Sequence, residues 1–320
     1  VASRVRVLSS IKGLEKEIVS RAEKLGINLS ALALAGDGHL TAIERQELKE
    51  TKVLVADPNM AIKYLDDMPS LEWLHLTFAG VDAVMRGASR RDFRLSRTIG
   101  FGGPMAEFVF GHLISRERKF VDLRHSQSRS EWAPIESYRP LKELTLGVLG
   151  MGDIGNEVAR MGRHGFNMQV VGLRRNPEAP SPPDFDATFA PDKLKEFLSH
   201  VDILVNTLPS TQETVGLLGS GVLQACKPLD CFVNIGRGDI IPDADLLHAL
   251  SAGWMRSAIL DVFNTEPLPQ DSPFWTHPAI TVSPHCSGLS LPGDVAECFL
   301  HNWQHQDGTL PTQVDWERGY

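Results

Sequence analysis

Three side chains suited to acid–base chemistry lie in separate segments of the C-terminal half of the sequence. Arg237 lies in VNIGRGDII, Glu266 in LDVFNTEPLP and His285 in TVSPHCSG. An imidazolium can donate a proton to a carbonyl oxygen as that oxygen becomes an alkoxide, and a guanidinium can bind a carboxylate beside the carbonyl. A carboxylate next to the imidazole would keep it protonated near neutral pH. Together the three residues could support the reduction of a 2-keto acid.

Each of these residues has a second interpretation when it is taken alone. Arg237 lies between two glycines and could be a turn residue, and Glu266 precedes a proline and could be an exposed loop acid. His285 is one of 11 histidines and could simply close a strand. The combination favours chemistry because a candidate nucleotide site precedes it in the chain.

That candidate nucleotide site is the glycine-rich turn in LTLGVLGMGDIGNEVARMG. Gly150, Gly152 and Gly155 match the G-x-G-x-x-G signature between a strand-like run and a helix-like pattern. Gly150 allows a tight turn, Gly152 lets the backbone approach a pyrophosphate, and Gly155 permits close packing of helix on strand. The N-terminus of the helix would stabilise the anion. The segment predicts a dinucleotide site, and a plain glycine-rich turn is the alternative.

The next strand-like run, in MQVVGLRRNP, ends in two arginines. Dinucleotide-binding folds often have an acidic residue there, which hydrogen-bonds the ribose 2′-hydroxyl. An acid would repel a 2′-phosphate, whereas a guanidinium donates paired hydrogen bonds to it. Arg174, with help from Arg175, therefore predicts a preference for NADP(H), with NAD(H) as the second cofactor. Alternatively, the arginines are solvated or pair with Asp184 or Asp186.

Short apolar runs alternate with helix-like patterns along almost the whole chain. The runs are RVRVLSS, ALALAG, TKVLVAD, LEWLHLT, LTLGVLG, MQVVGL, DILVNTLP, CFVNIG, SAILDVF and AITVSPH. This alternation predicts an α/β protein with parallel sheets covered on both faces. The runs form two sets, and the glycines and Pro104 of TIGFGGPMAEFVFGHLI suit a hinge and a helix start between them. We expect two doubly wound domains, one from residues 1–102 and 286–320, the other from residues 103–285.

The composition limits the partners of the protein. With 42% hydrophobic and 22% charged residues the chain is typical of soluble globular proteins. Its net charge of −8 argues against nucleic acid, and the lack of a long apolar run argues against a membrane span. Four cysteines without C-x-x-C spacing argue against structural zinc and favour a reducing compartment. Because the chain begins at Val1, a removed organelle leader stays an open alternative.

Several motifs together resemble one enzyme family. GVLGMGDIG, VNIGRGDII, LDVFNTEPLP and SPHCSG resemble the D-isomer-specific 2-hydroxyacid dehydrogenases, and the likeness extends from about Leu71 to the C-terminus. VDWERGY and WAPIESYRPL are most similar to the glyoxylate/hydroxypyruvate reductase A branch. The resemblance implies a flavodoxin-like substrate domain with an inserted Rossmann domain, and a homodimer formed through a helix beginning near Met105. It implies a cytoplasmic, NADP(H)-preferring enzyme that interconverts small 2-keto acids and D-2-hydroxy acids.

The resemblance also assigns roles to individual residues. Arg237 would bind the substrate carboxylate, His285 would be the general acid/base, and Glu266 would orient and charge it. The loop of Phe78, Ala79, Gly80 and Val81 would hold the carboxylate from the other domain. Cofactor contacts would come from Gly150, Gly152, Asp153, Ile154, Gly155, Arg174, Arg175, Leu208, Pro209, Ile235, Gly236 and Asp261, the last at the nicotinamide carboxamide.

Other interpretations remain open at this point. The same family includes dinucleotide-sensing corepressors, so a binding protein is the alternative function. Trp132 and Trp275 could line the substrate pocket or could be dimer and core residues. Cys286 could be a nucleophile. His301 and His305 could share a metal, although a surface helix is the simpler interpretation and we expect no metal.

Overall fold

The chain folds into two compact units. The computed structural model describes residues 3–34, 39–176, 180 and 182–319. The first unit comprises Val1–Gly100 and Leu289–Tyr320, and the second comprises Phe101–Gly288. The first unit is therefore discontinuous in sequence, with the second inserted into it.

Twelve strands lie within the described residues. Those of the first unit are β1 (Ser3–Leu8), β2 (Leu29–Ala33), β3 (Val53–Ala56), β4 (Trp73–Leu76) and β5 (Arg94–Arg97). Those of the second unit are β6 (Thr145–Leu149), β7 (Gln169–Leu173), β8 (Ala187–Phe189), β9 (Ile203–Asn206), β10 (Cys231–Asn234), β11 (Ala258–Leu260) and β12 (Ile280–Val282).

The α-helices of the described chain are α1 (Leu14–Lys24), α2 (Ala42–Lys49), α3 (Pro58–Lys63), α4 (Asp82–Gly87), α5 (Gly102–Glu117), α6 (Phe120–Ser128), α7 (Asp153–Arg160), α8 (Leu194–His200), α9 (Asp243–Ser251) and α10 (Pro292–Trp303). A π-helical turn, Met161–Gly165, continues α7. Short 3-10 turns cover Leu65–Asp67, Leu141–Glu143, Pro191–Lys193, Val222–Ala225, Gly238–Ile240 and Pro273–Trp275.

The sheet of the first unit has the strand order β2-β1-β3-β4-β5, with every pair parallel. This is the flavodoxin-like order of a doubly wound sheet. Alternate residues of β3 enter different cores: Val55 packs with α1 and α10, whereas Leu54 packs with α3 and α4. A strand buried on both faces needs apolar residues at successive positions, which is why these strands read as continuous apolar runs.

The sheet of the second unit has the order β12-β11-β10-β9-β6-β7-β8, again with every pair parallel. Its order reverses between β6 and β9, as in a Rossmann sheet. Ligands of such sheets bind beyond the carboxyl ends of the strands at this reversal. The two sheets confirm the predicted α/β class with two doubly wound parallel domains.

The unit boundaries differ by a few residues from those drawn on the sequence. The first lies after Gly100, because α5 begins at Gly102 and not near Met105. Pro104 is tolerated there because backbone N–H groups in the first helical turn need no partner within the helix. The second lies after Gly288, because the backbone N–H groups of Cys286 and Ser287 donate to Asp261 of the second unit.

Candidate active site

The carboxyl edge of the second sheet carries the candidate residues. In the Rossmann domain six of the seven strands end within three residues of a candidate: Gly150 follows β6, Arg174 follows β7, Leu208 follows β9, Gly236 and Arg237 follow β10, Asp261 follows β11 and His285 follows β12. Because the strands are parallel, these segments share one edge. The structure thus assembles residues that are widely separated in sequence.

His285 and Glu266 form a hydrogen-bonded pair at this edge. Nδ1 of His285 lies 2.7 Å from Oε2 of Glu266. The other carboxylate oxygen, Oε1, accepts a hydrogen bond of 2.9 Å from the backbone N–H of Phe263. The backbone of His285 has a left-handed φ of 51°, and its N–H donates to the carbonyl of Asp261 at 2.9 Å. Both partners are therefore fixed by the backbone around them.

The pairing changes the pKa of both groups. The hydrogen bond to Glu266 raises the pKa of His285, against the opposing effects of burial and of the positive charge of Arg237. Burial alone would raise the pKa of Glu266, but its hydrogen bonds to His285 and Phe263 and the nearby positive charges lower it. An ionised carboxylate and an imidazole with raised proton affinity make a suitable proton donor near neutral pH.

Asp261 organises the segment that carries His285. Its Oδ1 accepts from the Ser283 hydroxyl at 2.7 Å and from the Cys286 N–H at 2.9 Å, and its Oδ2 accepts from the Ser287 N–H at 2.9 Å. Burial tends to raise the pKa of Asp261, but the bonds from the two serines and the backbone lower it. The sequence analysis missed this structural role. The acid immediately after an apolar strand, in SAILDVF, was the available signal.

The glycine turn has the geometry that its sequence predicts. Gly150 has a left-handed φ of 92°. A Cβ on Gly155 would lie 1.9 Å from the carbonyl oxygen of Gly150, so only glycine lets helix α7 approach β6 this closely. A Cβ on Gly152 would meet open space among the described residues. Asp153 and Ile154 begin α7, whose N-terminus follows the turn directly and could face a pyrophosphate.

The two arginines follow β7 as expected. The backbone N–H of Arg174 donates to Phe189 at 3.0 Å, and its Nη1 donates to the carbonyl of Pro180 at 3.2 Å. The carboxylates offered as alternative partners contact other side chains: Asp184 lies 2.7 Å from Nε2 of His164, and Asp186 binds Arg163. The position of Arg174 at the end of the second Rossmann strand therefore fits recognition of the ribose.

The loop Phe78–Val81 lies at the carboxyl edge of the first sheet, directly after β4. Thr77, which precedes it, donates to the buried carboxylate of Asp57 at 2.6 Å and accepts from Ser290 at 2.8 Å. Nη1 of Arg97 donates to the carbonyl of Ala79 at 3.1 Å. The loop is anchored by contacts that the sequence analysis did not identify, since Asp57 lies 20 residues before Thr77.

The competing candidates gain little from the structure. Burial and Asp261 raise the pKa of Cys286, which opposes formation of a nucleophilic thiolate. His301 and His305 are in ring contact at 4.9 Å, but the described residues contain no cluster of three metal-ligating side chains. Trp132 is 97% exposed and Trp275 51% exposed, so neither is a core residue of its unit.

No helix in the described part of the chain is long and apolar enough to cross a membrane.

The second sheet has Rossmann order, and one edge carries both a glycine-rich turn and a histidine hydrogen-bonded to a carboxylate. This arrangement is typical of an oxidoreductase that uses a nicotinamide dinucleotide. Residues 110–287 match the family model described as D-isomer specific 2-hydroxyacid dehydrogenase, NAD binding domain. The chain belongs to this family of NAD(P)-dependent oxidoreductases, as its motifs predicted.

Solved structures of similar proteins extend the match to the whole chain. A D-isomer specific 2-hydroxyacid dehydrogenase family protein from Aeromonas salmonicida subsp. salmonicida A449 is 33% identical, with a TM-score of 0.87, over 99% of this chain and 100% of that one. A D-isomer specific 2-hydroxyacid dehydrogenase from Xanthobacter autotrophicus Py2, solved with NADPH and MES, is 26% identical, with a TM-score of 0.85, over 100% of both chains.

A third similar structure is an NADPH-dependent glyoxylate/hydroxypyruvate reductase from Sinorhizobium meliloti, solved with NADP and sulfate. It is 25% identical, with a TM-score of 0.83, over 99% of this chain and 100% of that chain.

Proposed function

We propose that the protein is an NADP(H)-preferring reductase of small 2-keto acids such as glyoxylate and hydroxypyruvate, forming D-2-hydroxy acids. The observation that carries the proposal is the His285–Glu266 pair, with its 2.7 Å contact and the raised pKa of His285. The similar reductase from Sinorhizobium meliloti acts on glyoxylate and hydroxypyruvate with NADPH, which supports the same substrate class here.

The mechanism follows from the chemistry of the three side chains. A bound dihydronicotinamide would supply the hydride. His285 donates the proton to the substrate oxygen from Nε2, because Nδ1 is held by Glu266. Arg237 binds the substrate carboxylate and stabilises negative charge that develops on the carbonyl oxygen.

The residues present also fit the proposed cofactor. Gly150, Gly152 and Gly155 allow backbone N–H groups at the start of α7 to approach a pyrophosphate. Two pairs of residues that follow neighbouring strands would also contact the cofactor. Leu208 and Pro209 would lie at the adenosine, and Ile235 and Gly236 would lie toward the nicotinamide. Arg174, with Arg175, would hold a 2′-phosphate, and two of the similar structures were solved with NADPH or NADP.

We further propose that the protein is a homodimer formed through α5, α6 and the segment after them. Helix α6, which the structure describes completely, has no buried residue. Large apolar side chains of this region are exposed, namely Phe120, Val121, Leu123, Trp132 and Tyr138. An exposed apolar surface of this kind is typical of a protein interface.

The free thiols of all four cysteines support a reducing, cytoplasmic location.

Initial rates test the substrate and the cofactor together. Glyoxylate, hydroxypyruvate, pyruvate and a bulkier 2-keto acid are each measured with NADPH and NADH, using the wild type and Arg174→Ala. We expect the highest kcat/KM for a small keto acid with NADPH. Arg174→Ala should lower kcat/KM with NADPH about tenfold or more and leave that with NADH within about twofold, because only the phosphate loses a charged partner.

Arg318→Ala is the control, since Arg318 is an exposed arginine of the first unit that pairs with Asp315. Equal kcat/KM for the two cofactors in the wild type would contradict the NADP(H) assignment. Tight NADPH binding without turnover of any keto acid would instead favour a dinucleotide-sensing protein of the corepressor type.

A further inference from the structure

Two buried asparagines lie side by side at the carboxyl edge of the second sheet. Asn206 ends β9, Asn234 ends β10, and the strand register pairs them directly. Their side chains are 0% and 1% exposed, respectively. A buried amide is costly unless both its oxygen and its N–H groups are hydrogen-bonded, so the partners of this pair show what it does.

The pair forms a hydrogen-bonded chain between two loops. Oδ1 of Asn206 accepts from the backbone N–H of Leu208 at 3.1 Å, and Nδ2 of Asn206 donates to Oδ1 of Asn234 at 2.9 Å. That Oδ1 also accepts from the N–H of Gly236 at 3.2 Å. Nδ2 of Asn234 donates to the backbone carbonyl of Arg237 at 3.0 Å. One end of the chain holds the loop of Leu208, and the other holds the backbone of Arg237.

The same two loops are also in close contact. A Cβ added to Gly236 would lie 2.7 Å from Nδ2 of Asn206 and 2.8 Å from the carbonyl oxygen of Leu208. A side chain at Gly236 would therefore force the loops apart. The spacing of these loops is set by the amide pair together with the absence of a side chain at Gly236.

We propose that Asn206 and Asn234 are positioning residues that couple the loop of Leu208, at the cofactor, to Arg237, at the substrate carboxylate. The inference rests on the proposed function for the roles of Leu208 and Arg237. A displacement of the Arg237 backbone would be transmitted through Asn234 and Asn206 to the Leu208 N–H. Because such coupling is reciprocal, cofactor binding should strengthen substrate binding and the reverse.

The carboxamide suits this role because it is a donor and an acceptor at once. Leucine has nearly the same shape but offers neither group, so Asn206→Leu leaves the Leu208 N–H unpartnered. Asn234→Leu removes the acceptor of the Gly236 N–H and of Nδ2 of Asn206, and the donor to the Arg237 carbonyl. Both variants therefore break the bond between the asparagines, and each in addition releases one end of the hydrogen-bonded chain.

The test measures the NADPH Kd by fluorescence and the KM of the best keto acid for both variants and for the double variant. Asn206→Leu should raise the NADPH Kd about tenfold, and Asn234→Leu should raise the keto-acid KM about tenfold with a smaller change in kcat. For each constant, Kd and KM, the increase in the double variant should be smaller than the product of the increases in the two single variants. The reason is that the bond between the asparagines is lost only once.

Asn302→Leu is the matched control. Asn302 is a fully buried asparagine of the first unit, and its amide bonds Cys298 and Thr312. The Asn302→Leu variant should lower the melting temperature about as much as the two site variants do, while leaving the NADPH Kd and the keto-acid KM unchanged. If the site variants change only the melting temperature, as Asn302→Leu does, the coupling role is refuted.

Hydrogen exchange of the wild type gives a second measurement that needs no variant. NADPH should slow exchange of the side-chain amide groups of Asn206 and Asn234 together, because both donate within the same hydrogen-bonded chain and neither is a proposed cofactor contact. Protection of the Asn206 amide group alone would refute the coupling even if the leucine variants do not fold. A wild type that binds NADPH but reduces no keto acid would refute the proposed substrate instead, and the exchange result would still decide the coupling.

Discussion

At the scale of the residue, two carboxylates near His285 perform different tasks. Glu266 contacts the imidazole, whereas Asp261 contacts the hydroxyl and amides of the segment that carries it. Both are acids within LDVFNTEP, so their types alone do not distinguish them. Their hydrogen-bond partners assign the first to proton affinity and the second to loop structure.

The pH dependence of the reaction tests the role of Glu266. In the proposed mechanism reduction requires protonated His285, so the rate should be present at low pH and be lost as the pH rises through the pKa of His285. Glu266→Gln removes the charge and the strong acceptor that raise this pKa. The alkaline limb of the kcat/KM profile for keto-acid reduction should therefore move to lower pH.

Asp243→Asn is the control, because it removes a carboxylate bonded to Asn264 in the same unit. Its profile should match the wild type. An unchanged alkaline limb in Glu266→Gln would mean that another group sets the protonation of the acid.

At the scale of the element, the strand ends determine how well the site is organised. Asp261 directly follows strand β11, and its carboxylate holds Ser283, Cys286 and Ser287 after β12. His285 lies within that segment, so its left-handed backbone is enclosed by these bonds. His285 is thus positioned by a neighbouring strand as well as by its own.

Asp261→Asn tests this clamp. The amide group of asparagine would face a backbone N–H that now donates to a carboxylate oxygen, so the variant should lose about 1–3 kcal/mol of stability. It should also lose kcat because His285 is displaced. Urea unfolding without cofactor and steady-state kinetics measure the two effects.

Asp202→Asn provides the comparison, since Asp202 accepts at 2.8 Å from the N–H of Thr145, the first residue of β6, at the other end of the strands. It should lower stability while preserving kcat. If Asp261→Asn has the same free energy of unfolding as the wild type and only binds NADPH more weakly, Asp261 acts as a nicotinamide contact and not as a clamp.

The apolar runs of the sequence predicted all the described strands except β5 and β8. Strand β5 has the sequence RLSR and β8 has ATF, and each lies at an edge of its sheet. An edge strand is covered less completely, so its residues need not be apolar. The remaining strands are interior or have continuous apolar runs, and a local pattern was sufficient to locate them.

At the scale of the whole molecule, the exposed apolar region after α5 has a charged anchor at each end. Glu117 at the end of α5 is buried and binds Arg116, and Arg139 bonds both Glu117 and Asp230. Between these anchors lie the exposed side chains of α6 and Trp132. The segment that carries this apolar surface is therefore held by ion pairs at both of its ends.

Sedimentation analysis tests the homodimer. We expect the wild type to have about twice the 35.3 kDa mass of the chain. Val121→Glu should shift it toward monomer by placing a charge in the interface. Val121 is 61% exposed, and Ile43→Glu is the matched change at a 75% exposed apolar residue of the first unit. A monomeric wild type, or equal effects of both variants, would contradict an interface at α6.

The sequence by itself determined the fold class and the family, and it selected Arg237, Glu266 and His285 as the proposed acid–base and carboxylate-binding residues. These depend on local information: apolar periodicity, the glycine turn and short motifs at strand ends. Tertiary structure decided which groups contact one another. Glu266 and His285 are 19 residues apart, and Asn206 and Asn234 are 28 apart. Their contacts depend on strand order and register, which arise from packing across the sheet and leave no local pattern.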